Sequence, residues 1–446
     1  MSVAHFTITN TEVKDLGKPL HACIDTGLGF LDHMIDQFNS HAQVGVSIQV
    51  TSDVGVGDVS NKNRHAGSDQ FQELLMGQVG LALGEKFNLL IQQSYSPIEI
   101  KTKKTSRFCC PLDEALVECV LITDPIRSHG ILETFNLSPY GTYPLKTGRT
   151  QIGQMKTAFI KTFFHNIALS SGLEVHFVKV RGKNGHHIIE SAFKAFSRAF
   201  RNLLDGVDTT HESLSDDLFK IQRTDTLWGI HSSSFRESIS KERGGSSRRS
   251  TKETSIDVDM KLDGGEYGVS INTGIKMLDS FFTVLSREAM MSLSVQCCGD
   301  LWVDDHHSSE DVAIAVGKNL NESLGTKAGL NRMWCSEAKY GQAHVEAVID
   351  LSNRPCLSHN LSLEDNIDGD EYAGDLSIEM FEHVLDSLVM NGQMTVHLLQ
   401  KCDSSTCVSD LVMAVGMAFG RTLRYCMAVD PRRAGVTASS KGTLSA

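Results

Sequence analysis

The stretch Gly172–Arg201, GLEVHFVKVRGKNGHHIIESAFKAFSRAFR, contains the pattern that decides the fold. Its first residues alternate between apolar and polar, which is typical of a half-buried strand. Its last residues place apolar side chains at helical spacing, with Phe193, Phe196 and Phe200 on one stripe. Other strand and helix patterns follow one another in the same way along the chain. The sequence therefore predicts an α/β protein of two layers with a mainly antiparallel sheet.

This stretch occurs a second time, as Gly392–Arg424. Two other segments are also repeated, in the same order along the chain: Ile24–Met34 with Ile271–Phe281, and Gly77–Asn88 with Glu310–Asn321. Three matches in one order indicate a duplication.

The duplication divides the chain into two domains and a connecting segment. We predict a first domain over residues 1–206 and a second over residues 249–446. Residues 207–248 are rich in serine, glycine and charge and show little apolar periodicity, a composition that is typical of a solvated linker.

Composition limits the classes of function. The chain has 446 residues and a formal net charge of −12, which argues against binding to nucleic acid. No uninterrupted apolar run approaches the roughly 18–20 residues that cross a bilayer, and the N-terminus lacks the pattern of a secretory signal. The 11 cysteines include no CxxC pair, so we interpret them as reduced thiols. We expect a cytoplasmic protein that binds neither nucleic acid nor membrane.

Two HHxxE clusters carry the strongest chemical signal. Because residues i and i+4 share one face of a helix, His186 with Glu190 and His306 with Glu310 can each bind one cation. The second histidine of each pair points elsewhere and can reach a different ion. Imidazole with carboxylate favours Mn, Fe, Zn or Ni over Ca or Mg. Alternatively, each HHxxE pattern is only the exposed start of a helix, where the helix dipole favours an acidic residue. Because the pattern occurs twice, we favour metal binding.

Six motifs resemble imidazoleglycerol-phosphate dehydratase, a family of histidine biosynthesis. They are LDHM (31–34), RFCCPLDEAL (107–116), GKNGHHIIESAFKA (182–195), TKET (251–254), DDHHSSED (304–311) and SSKGTL (439–444). The resemblance covers nearly all of the chain outside the linker, and it does so twice.

The resemblance implies the fold, the assembly and the reaction. The fold would be α+β in two layers, ribosomal-protein-S5-domain-2-like, with each domain an internal duplication of a βββαα unit. The chains would form a homo-oligomer with an octahedral-like shell and sites for two divalent ions, with manganese as the expected metal. The reaction would be the dehydration of D-erythro-imidazole-glycerol phosphate to imidazole-acetol phosphate.

Each copy has lost a different metal cluster. In the second copy, Ser405, Thr406 and Ser409 stand where the first copy has His186, His187 and Glu190. The first copy lacks DDHHSSED, and two registers stay open for its replacement. An alignment from Gly57-Asp58 gives residues 63–68, whereas an alignment from the following helix places Glu73-Leu74 and Gly77 opposite His306-His307 and Glu310. Neither register preserves the cluster.

The metal-ligating residues that one copy has lost are therefore present in the other copy. This pattern predicts one metal site per chain, composed of residues from both copies. Its eight ligands would be His33, His186, His187 and Glu190 from the first copy and His306, His307, Glu310 and His397 from the second. They divide into two ions with four protein ligands each, which leaves open positions for substrate. His176 would not bind metal.

The other functional positions follow from the resemblance and the reaction. Loss of the substrate hydroxyl is feasible when the imidazole ring ionises, and a carboxylate must then remove a carbon-bound proton. We assign that role to Glu253. Cations and hydroxyl donors would hold the phosphate: Arg107, Arg127, Lys194, Ser439 and Lys441.

Three hypotheses describe the function. The first is an active tandem dehydratase, which the complementary survival of ligands favours. The second is a non-catalytic metal-binding or assembly protein derived from this enzyme. The third, an unrelated metallohydrolase, explains neither SSKGTL nor the repeat. The chain shows no phosphatase-type segment, so we do not expect a bifunctional enzyme.

Overall fold

Two compact units make up the chain. The computed structural model describes residues 6–15, 23–52, 61–96, 99–127, 129–207, 243–263, 268–363, 371–404, 406–433, 435–439 and 444. The first unit contains the described residues up to 207, and the second contains those from 243 to 437, while Ala438 and Ser439 group with the first. Strand Gly244–Ser250 begins inside the segment predicted as linker, whose residues 208–242 lie outside the described part. The predicted domain limits stay a prediction.

The first unit alternates strands and helices. Its elements are β1 Phe6–Asp15, β2 Ile24–Asp25, α1 Gly29–Gln37, β3 Val44–Ser52, α2 Asp69–Ser94, β4 Lys104–Leu112, β5 Ala115–Thr123, β6 Ile131–Asn136, β7 Gln151–Ile152, β8 Met155–Lys156, α3 Ile160–Ser171, β9 Leu173–Arg181 and α4 Gly185–Leu204. A π-helical turn, Phe38–Ala42, follows α1. The strands form sheets of order β1-β3-β2 and β4-β5-β9-β6 and a small β7-β8 hairpin.

The second unit has the same order with one further strand at its start. Its elements are β10 Gly244–Ser250, β11 Thr254–Lys261, β12 Val269–Asn272, α5 Lys276–Ala289, β13 Ser292–Gly299, α6 His306–Leu324, β14 Met333–Tyr340, β15 Ala343–Asp350, β16 Cys356–His359, β17 Tyr372–Ala373, β18 Leu376–Ser377, α7 Ile378–Gly392, β19 Thr395–Gln400 and α8 Val408–Met427. The sheets have the order β10-β11-β13-β12 and β14-β15-β19-β16, with a β17-β18 hairpin.

Each of the four larger sheets is antiparallel except for one parallel pair at its edge, which confirms the predicted mainly antiparallel arrangement. Within a unit the helices of the two halves pack on each other, α2 against α3 and α6 against α7. The α+β class with a sheet layer and a helix layer in each half is therefore confirmed. The βββαα order differs in detail, because in each half a strand separates the two helices.

Two glycines allow the helices to approach closely. A Cβ atom at Gly84 of α2 would lie 2.5 Å from the carbonyl oxygen of Ile167 in α3, and one at Gly420 of α8 would lie 2.3 Å from that of Leu285 in α5. Real side chains do not tolerate these distances. The α2–α3 and α8–α5 contacts therefore depend on the absence of a side chain.

Helix α2 is also long and apolar enough to cross a membrane by length and composition. More than half of its most apolar window is buried, and it packs along α3. These features are those of a core helix.

A short local motif starts the helix that leads each unit. Thr26 and Thr273 each donate a side-chain hydrogen bond to the carboxylate of the aspartate six residues later, Asp32 at 2.6 Å and Asp279 at 2.7 Å. The backbone N–H of the same threonine donates to that carboxylate as well. Each aspartate lies in the first turn of its helix, so these bonds tie the start of α1 and of α5 to the segment that precedes it.

Candidate functional site

In the first unit, two helices bring three metal-ligating groups together. His33 lies on α1, and His186 and Glu190 lie on the first turn and a half of α4; their ligand atoms are all within 4.8 Å of one another. His186 Nε2 is 3.1 Å and His33 Nε2 is 3.7 Å from Glu190 Oε2. The predicted pairing of residues i and i+4 is confirmed here. Asn184 caps α4 by accepting the backbone N–H of His186 at 2.9 Å, which places the pair at the helix start.

Lys194, one turn further along α4, neutralises this cluster. Its Nζ lies 2.8 Å from Glu190 Oε1, and both side chains are largely buried. Burial alone would raise the pKa of Glu190. The positive charge of Lys194 and hydrogen bonds from His186, His33 and Lys194 outweigh burial and hold the pKa of Glu190 well below its usual range. Glu190 is therefore an anionic carboxylate that can face a cation.

A second cluster of three groups lies in the second unit. His306 and Glu310 of α6 meet His383 of α7, again with all ligand atoms within 4.8 Å. Glu310 Oε2 is 3.6 Å from His306 Nε2, and Glu310 Oε1 is 3.4 Å from His383 Nε2. Asp304, which precedes the N-cap residue Asp305 of α6, accepts the backbone N–H of His306 at 3.0 Å, so it makes the same contact as Asn184 does with His186.

This geometry favours an imidazole other than His397, the metal ligand predicted from the sequence. His397 lies in the middle of β19, paired with Val348, and its side chain is completely buried in the sheet. His383, on the neighbouring helix, is the imidazole that meets His306 and Glu310. The sequence contained a signal for it. The counterpart of His397 in the first copy is also a histidine, His176. The counterpart of His383 is Thr162, so this histidine is present in one copy only, as the other predicted ligands are.

The second histidine of each pair is held by a carboxylate that the sequence analysis missed. His187 Nδ1 lies 2.8 Å from Glu114 Oε2, and His307 Nδ1 lies 3.1 Å from Asp300 Oδ2. The hydrogen bond with Asp300 raises the pKa of His307. The other nitrogen, Nε2, lies 3.8 Å from Asp113 Oδ2 in His187 and 3.9 Å from Glu253 Oε1 in His307. These distances exceed a hydrogen bond, so Nε2 is the nitrogen that a metal ion could use in each ring. Carboxylate–histidine pairs of this kind commonly orient metal ligands.

The structure also decides which residues replaced the lost cluster of the first copy. Gln72 Oε1 accepts the backbone N–H of Lys156 at 3.0 Å, and in the second unit Asp305 Oδ2 accepts that of Ser377 at 2.7 Å. Gln72 thus corresponds to Asp305. The helix register is the correct one, with Glu73, Leu74 and Gly77 opposite His306, His307 and Glu310.

His65, from the other register, has a structural role. Its ring is buried against Gly27, and its Nδ1 lies 2.7 Å from the Thr26 carbonyl oxygen. In the second copy, Thr406 is buried with its hydroxyl donated to the Asp403 carbonyl oxygen, and Ser409 follows at the start of α8. Ser405 lies outside the described residues.

Glu253 lies close to the second unit's histidines. Its Oε1 is 3.9 Å from His307 Nε2, and its side chain is about half exposed, at 51%. Glu253 is therefore a carboxylate beside His307 that is open to solvent.

The predicted phosphate-binding residues are dispersed. Arg107 binds Glu118 through Nε at 2.7 Å, and Arg127 binds Glu174 at 2.9 Å. Glu174 lies near the start of β9, whereas α4 follows the other end of that strand, so Arg127 contacts the end of β9 remote from the start of α4. Lys194 pairs with Glu190, Ser439 is partly exposed and groups with the first unit, and Lys441 lies outside the described residues.

Both clusters fit a divalent transition-metal ion. Each offers two imidazoles and one carboxylate at separations that a single ion can bridge, and this donor set suits such an ion.

His176, which we predicted not to bind metal, forms hydrogen bonds with Glu174 and Thr134, each at 3.0 Å.

Comparison with known proteins decides the family. The imidazoleglycerol-phosphate dehydratase profile matches residues 26–200 and again residues 273–423. The chain belongs to the imidazoleglycerol-phosphate dehydratase family. The two matches show that the family domain is present twice in this chain, as the repeats predicted.

Individual relatives each match about half of the chain. The chloroplastic imidazoleglycerol-phosphate dehydratase of Pisum sativum is 37% identical over 203 residues, which are 46% of this chain and 69% of the pea protein. The enzyme of Prochlorococcus marinus NATL1A is 35% identical over 206 residues, 46% of this chain and 98% of its own length. The crystal structure of the Staphylococcus aureus enzyme aligns at 25% identity with a TM-score of 0.36, covering 41% of this chain and 98% of its own.

Proposed function

We propose that this member of the family dehydrates D-erythro-imidazole-glycerol phosphate to imidazole-acetol phosphate in histidine biosynthesis, at a dinuclear metal site built from both copies. Membership of the family and the names of the relatives support the reaction. The main support for a site built from both copies is that the two copies have kept different metal-ligand clusters. Each copy keeps the three-donor cluster that the other has lost.

The two clusters suggest how eight ligands divide between two ions. His33, His186 and Glu190 would hold one ion, and His306, Glu310 and His383 would hold the other. The fourth protein ligand of each would be the second histidine of the opposite copy, His307 or His187, whose Nε2 is available because Nδ1 faces a carboxylate. Such a site forms where a first copy meets a second copy, within one chain or between two.

Different residues of this chain would then have different roles in the reaction. When bound, the two ions favour the ionised form of the substrate's imidazole by acting as Lewis acids. Glu253 takes the proton from the carbon next to the departing hydroxyl, and its position beside His307 supports this role. The residues proposed for the phosphate stay those of the sequence prediction: Arg107, Arg127, Lys194, Ser439 and Lys441. Because Arg107, Arg127 and Lys194 pair with carboxylates in this structure, the phosphate would have to compete with Glu118, Glu174 and Glu190 for them.

A metal-dependence assay tests this proposal. The purified chain, stripped with a chelator and reconstituted with Mn²⁺, should convert imidazole-glycerol phosphate, and Glu253→Gln should lower kcat by about 100-fold or more because general-base catalysis contributes that much. Metal binding without turnover would instead support the non-catalytic derivative. Turnover that is unaffected by removal of the metal would refute the composite site.

We also propose that the chains assemble into a shell in which each copy takes the place of one family subunit. Metal ligands from different copies would then link neighbours, so that metal binding and assembly are coupled. Strict symmetry maps first copies only onto first copies, which gives an octahedral-like set of twelve chains. Light scattering with and without chelator tests this, and a monomer that persists with Mn²⁺ would refute it.

We place the protein in a reducing compartment, the cytoplasm. All 11 cysteines are free thiols, which supports this placement. Fractionation of cells that express the full chain tests it.

A further inference from the structure

Glu114 makes two kinds of contact around the start of α4. It lies in the two-residue turn that joins β4 to β5. Its Oε1 accepts the backbone N–H groups of Asn184 at 2.8 Å and Lys183 at 3.2 Å. Its Oε2 faces His187 Nδ1 at 2.8 Å. One carboxylate thus fixes both the backbone that leads into the helix and the ring of a histidine on its first turn.

We propose that Glu114 is a positioning residue that acts through His187, by keeping the proton of the imidazole on Nδ1 and leaving Nε2 to bind a metal ion. This inference rests on the proposed metal site. A carboxylate accepts hydrogen bonds only, so a neutral His187 must donate from Nδ1. Nε2 then carries a lone pair, as metal binding requires. The contact also fixes the plane of the ring.

The duplication supports this assignment. The β14–β15 hairpin of the second copy matches the β4–β5 hairpin, and its two-residue turn is Gly341-Gln342. Gln342 therefore stands where the first copy has Glu114, and Thr406 stands where it has His187. The carboxylate is present in the copy that keeps the histidine and absent from the copy that has lost it. His307, the corresponding histidine of the other cluster, faces a carboxylate in the same way.

The second copy also supplies the variant for a test. Because a glutamine occupies this turn naturally, Glu114→Gln should preserve the fold. The two backbone N–H groups would still require the amide oxygen, which turns the amide NH₂ toward His187. Nδ1 must then accept, the proton moves to Nε2, and the nitrogen needed for the metal is blocked.

The experiment is a Mn²⁺ titration of the full chain followed by electron paramagnetic resonance, with thermal unfolding measured on the same samples. We expect Glu114→Gln to weaken one of the two bound ions by about 10- to 100-fold. The matched control is Glu337→Gln, which removes a carboxylate 2.8 Å from His344 Nε2, a histidine outside both clusters. This control should bind Mn²⁺ like the wild type.

A third variant distinguishes loss of the orientation of the His187 ring from general loosening of the first turn of α4. Asn184→Ala removes the cap of α4 but leaves the Glu114–His187 contact in place. It should lower the melting temperature and reduce Mn²⁺ affinity less than Glu114→Gln does. Equal losses from these two variants, or a wild-type affinity in Glu114→Gln, would overturn the inference. A wild-type chain that binds no Mn²⁺ would refute the proposed function itself and this inference with it.

Discussion

His383 lies on α7 and contacts Glu310, so its imidazole should be a metal ligand. We expect His383→Ala, like His187→Ala and His307→Ala, to abolish dehydration and to lower Mn²⁺ affinity by about 100-fold or more, since even indirect partners of a metal cost 10- to 100-fold. Activity assays and Mn²⁺ titrations of the purified variants check this expectation.

Two histidines in the sheets serve as controls for this prediction. His176→Ala loses only its contacts with Thr134 and Glu174 and should keep metal affinity and activity close to wild type. His397→Gln changes a buried side chain and should lower the melting temperature while retaining the metal. Loss of metal in His397→Gln but not in His383→Ala would restore the original assignment.

Lys327 is the buried cation that gives stability a pH dependence. Burial lowers its pKa to about 8, although its Nζ donates to Asn353 Oδ1 at 2.6 Å and to the Gln393 carbonyl oxygen at 3.1 Å. The unfolded chain, in which the pKa of Lys327 is near 10.5, therefore binds more protons between about pH 8 and 10.5. The contribution of Lys327 to the free energy of unfolding consequently rises with pH through that interval.

Comparison with Lys327→Met isolates this effect. The difference in unfolding free energy, wild type minus variant, should increase by about 2 kcal/mol between pH 7 and pH 10. Chemical denaturation at both pH values measures it, and subtraction of the variant removes the titration of other groups. A difference that does not change with pH would show that the buried amine is charged throughout.

At the scale of the element, the helix contacts depend on glycine. Gly84→Ala would place a Cβ atom 2.5 Å from a backbone oxygen of α3, which cannot move away as a side chain can. We expect the variant to lose about 1–3 kcal/mol of stability, as overpacked cores do. Thermal or chemical unfolding of the purified protein measures this loss.

Gly77 provides the control on the same helix. A Cβ atom there would meet the end of the Asn166 side chain at 3.1 Å, and that side chain can shift. Because alanine favours the helix by up to about 1 kcal/mol over glycine, Gly77→Ala should be neutral or stabilising. Equal destabilisation by both substitutions would show that the cost does not arise from the contact with the α3 backbone.

At the scale of the whole molecule, the number of bound ions distinguishes the models. One complete set of ligands predicts two transition-metal ions per chain. In the reciprocal set, Glu73 is a residue of a metal-ligating type, but Gly77 and Thr162 in the first copy and Thr406 and Ser409 in the second are not, so this set is incomplete. Elemental analysis of the reconstituted protein measures the number. A value near four would refute a single live site, and a value near zero would refute the enzyme.

The duplication, the fold class and the HHxxE pairs on helices could be predicted from the amino-acid sequence alone. These features depend on local periodicity and on spacing within one element: a residue at i+4 shares a helix face whatever the rest of the chain does. Asn184 and Asp304, which accept the backbone N–H groups of His186 and His306, precede these histidines by two positions and could be found in the same way.

Contacts between groups on different elements could not be predicted from the sequence and were found in the folded chain. His383 joins Glu310 because α7 packs on α6, and Glu114 reaches His187 because the β4–β5 turn lies beside the start of α4. The register of the lost cluster was decided by backbone contacts of Gln72 and Asp305 with the strands β8 and β18. Contacts between elements distant in sequence depend on packing, which no local pattern encodes. For this reason the sequence led to His397 as a metal ligand, whereas the structure indicates His383.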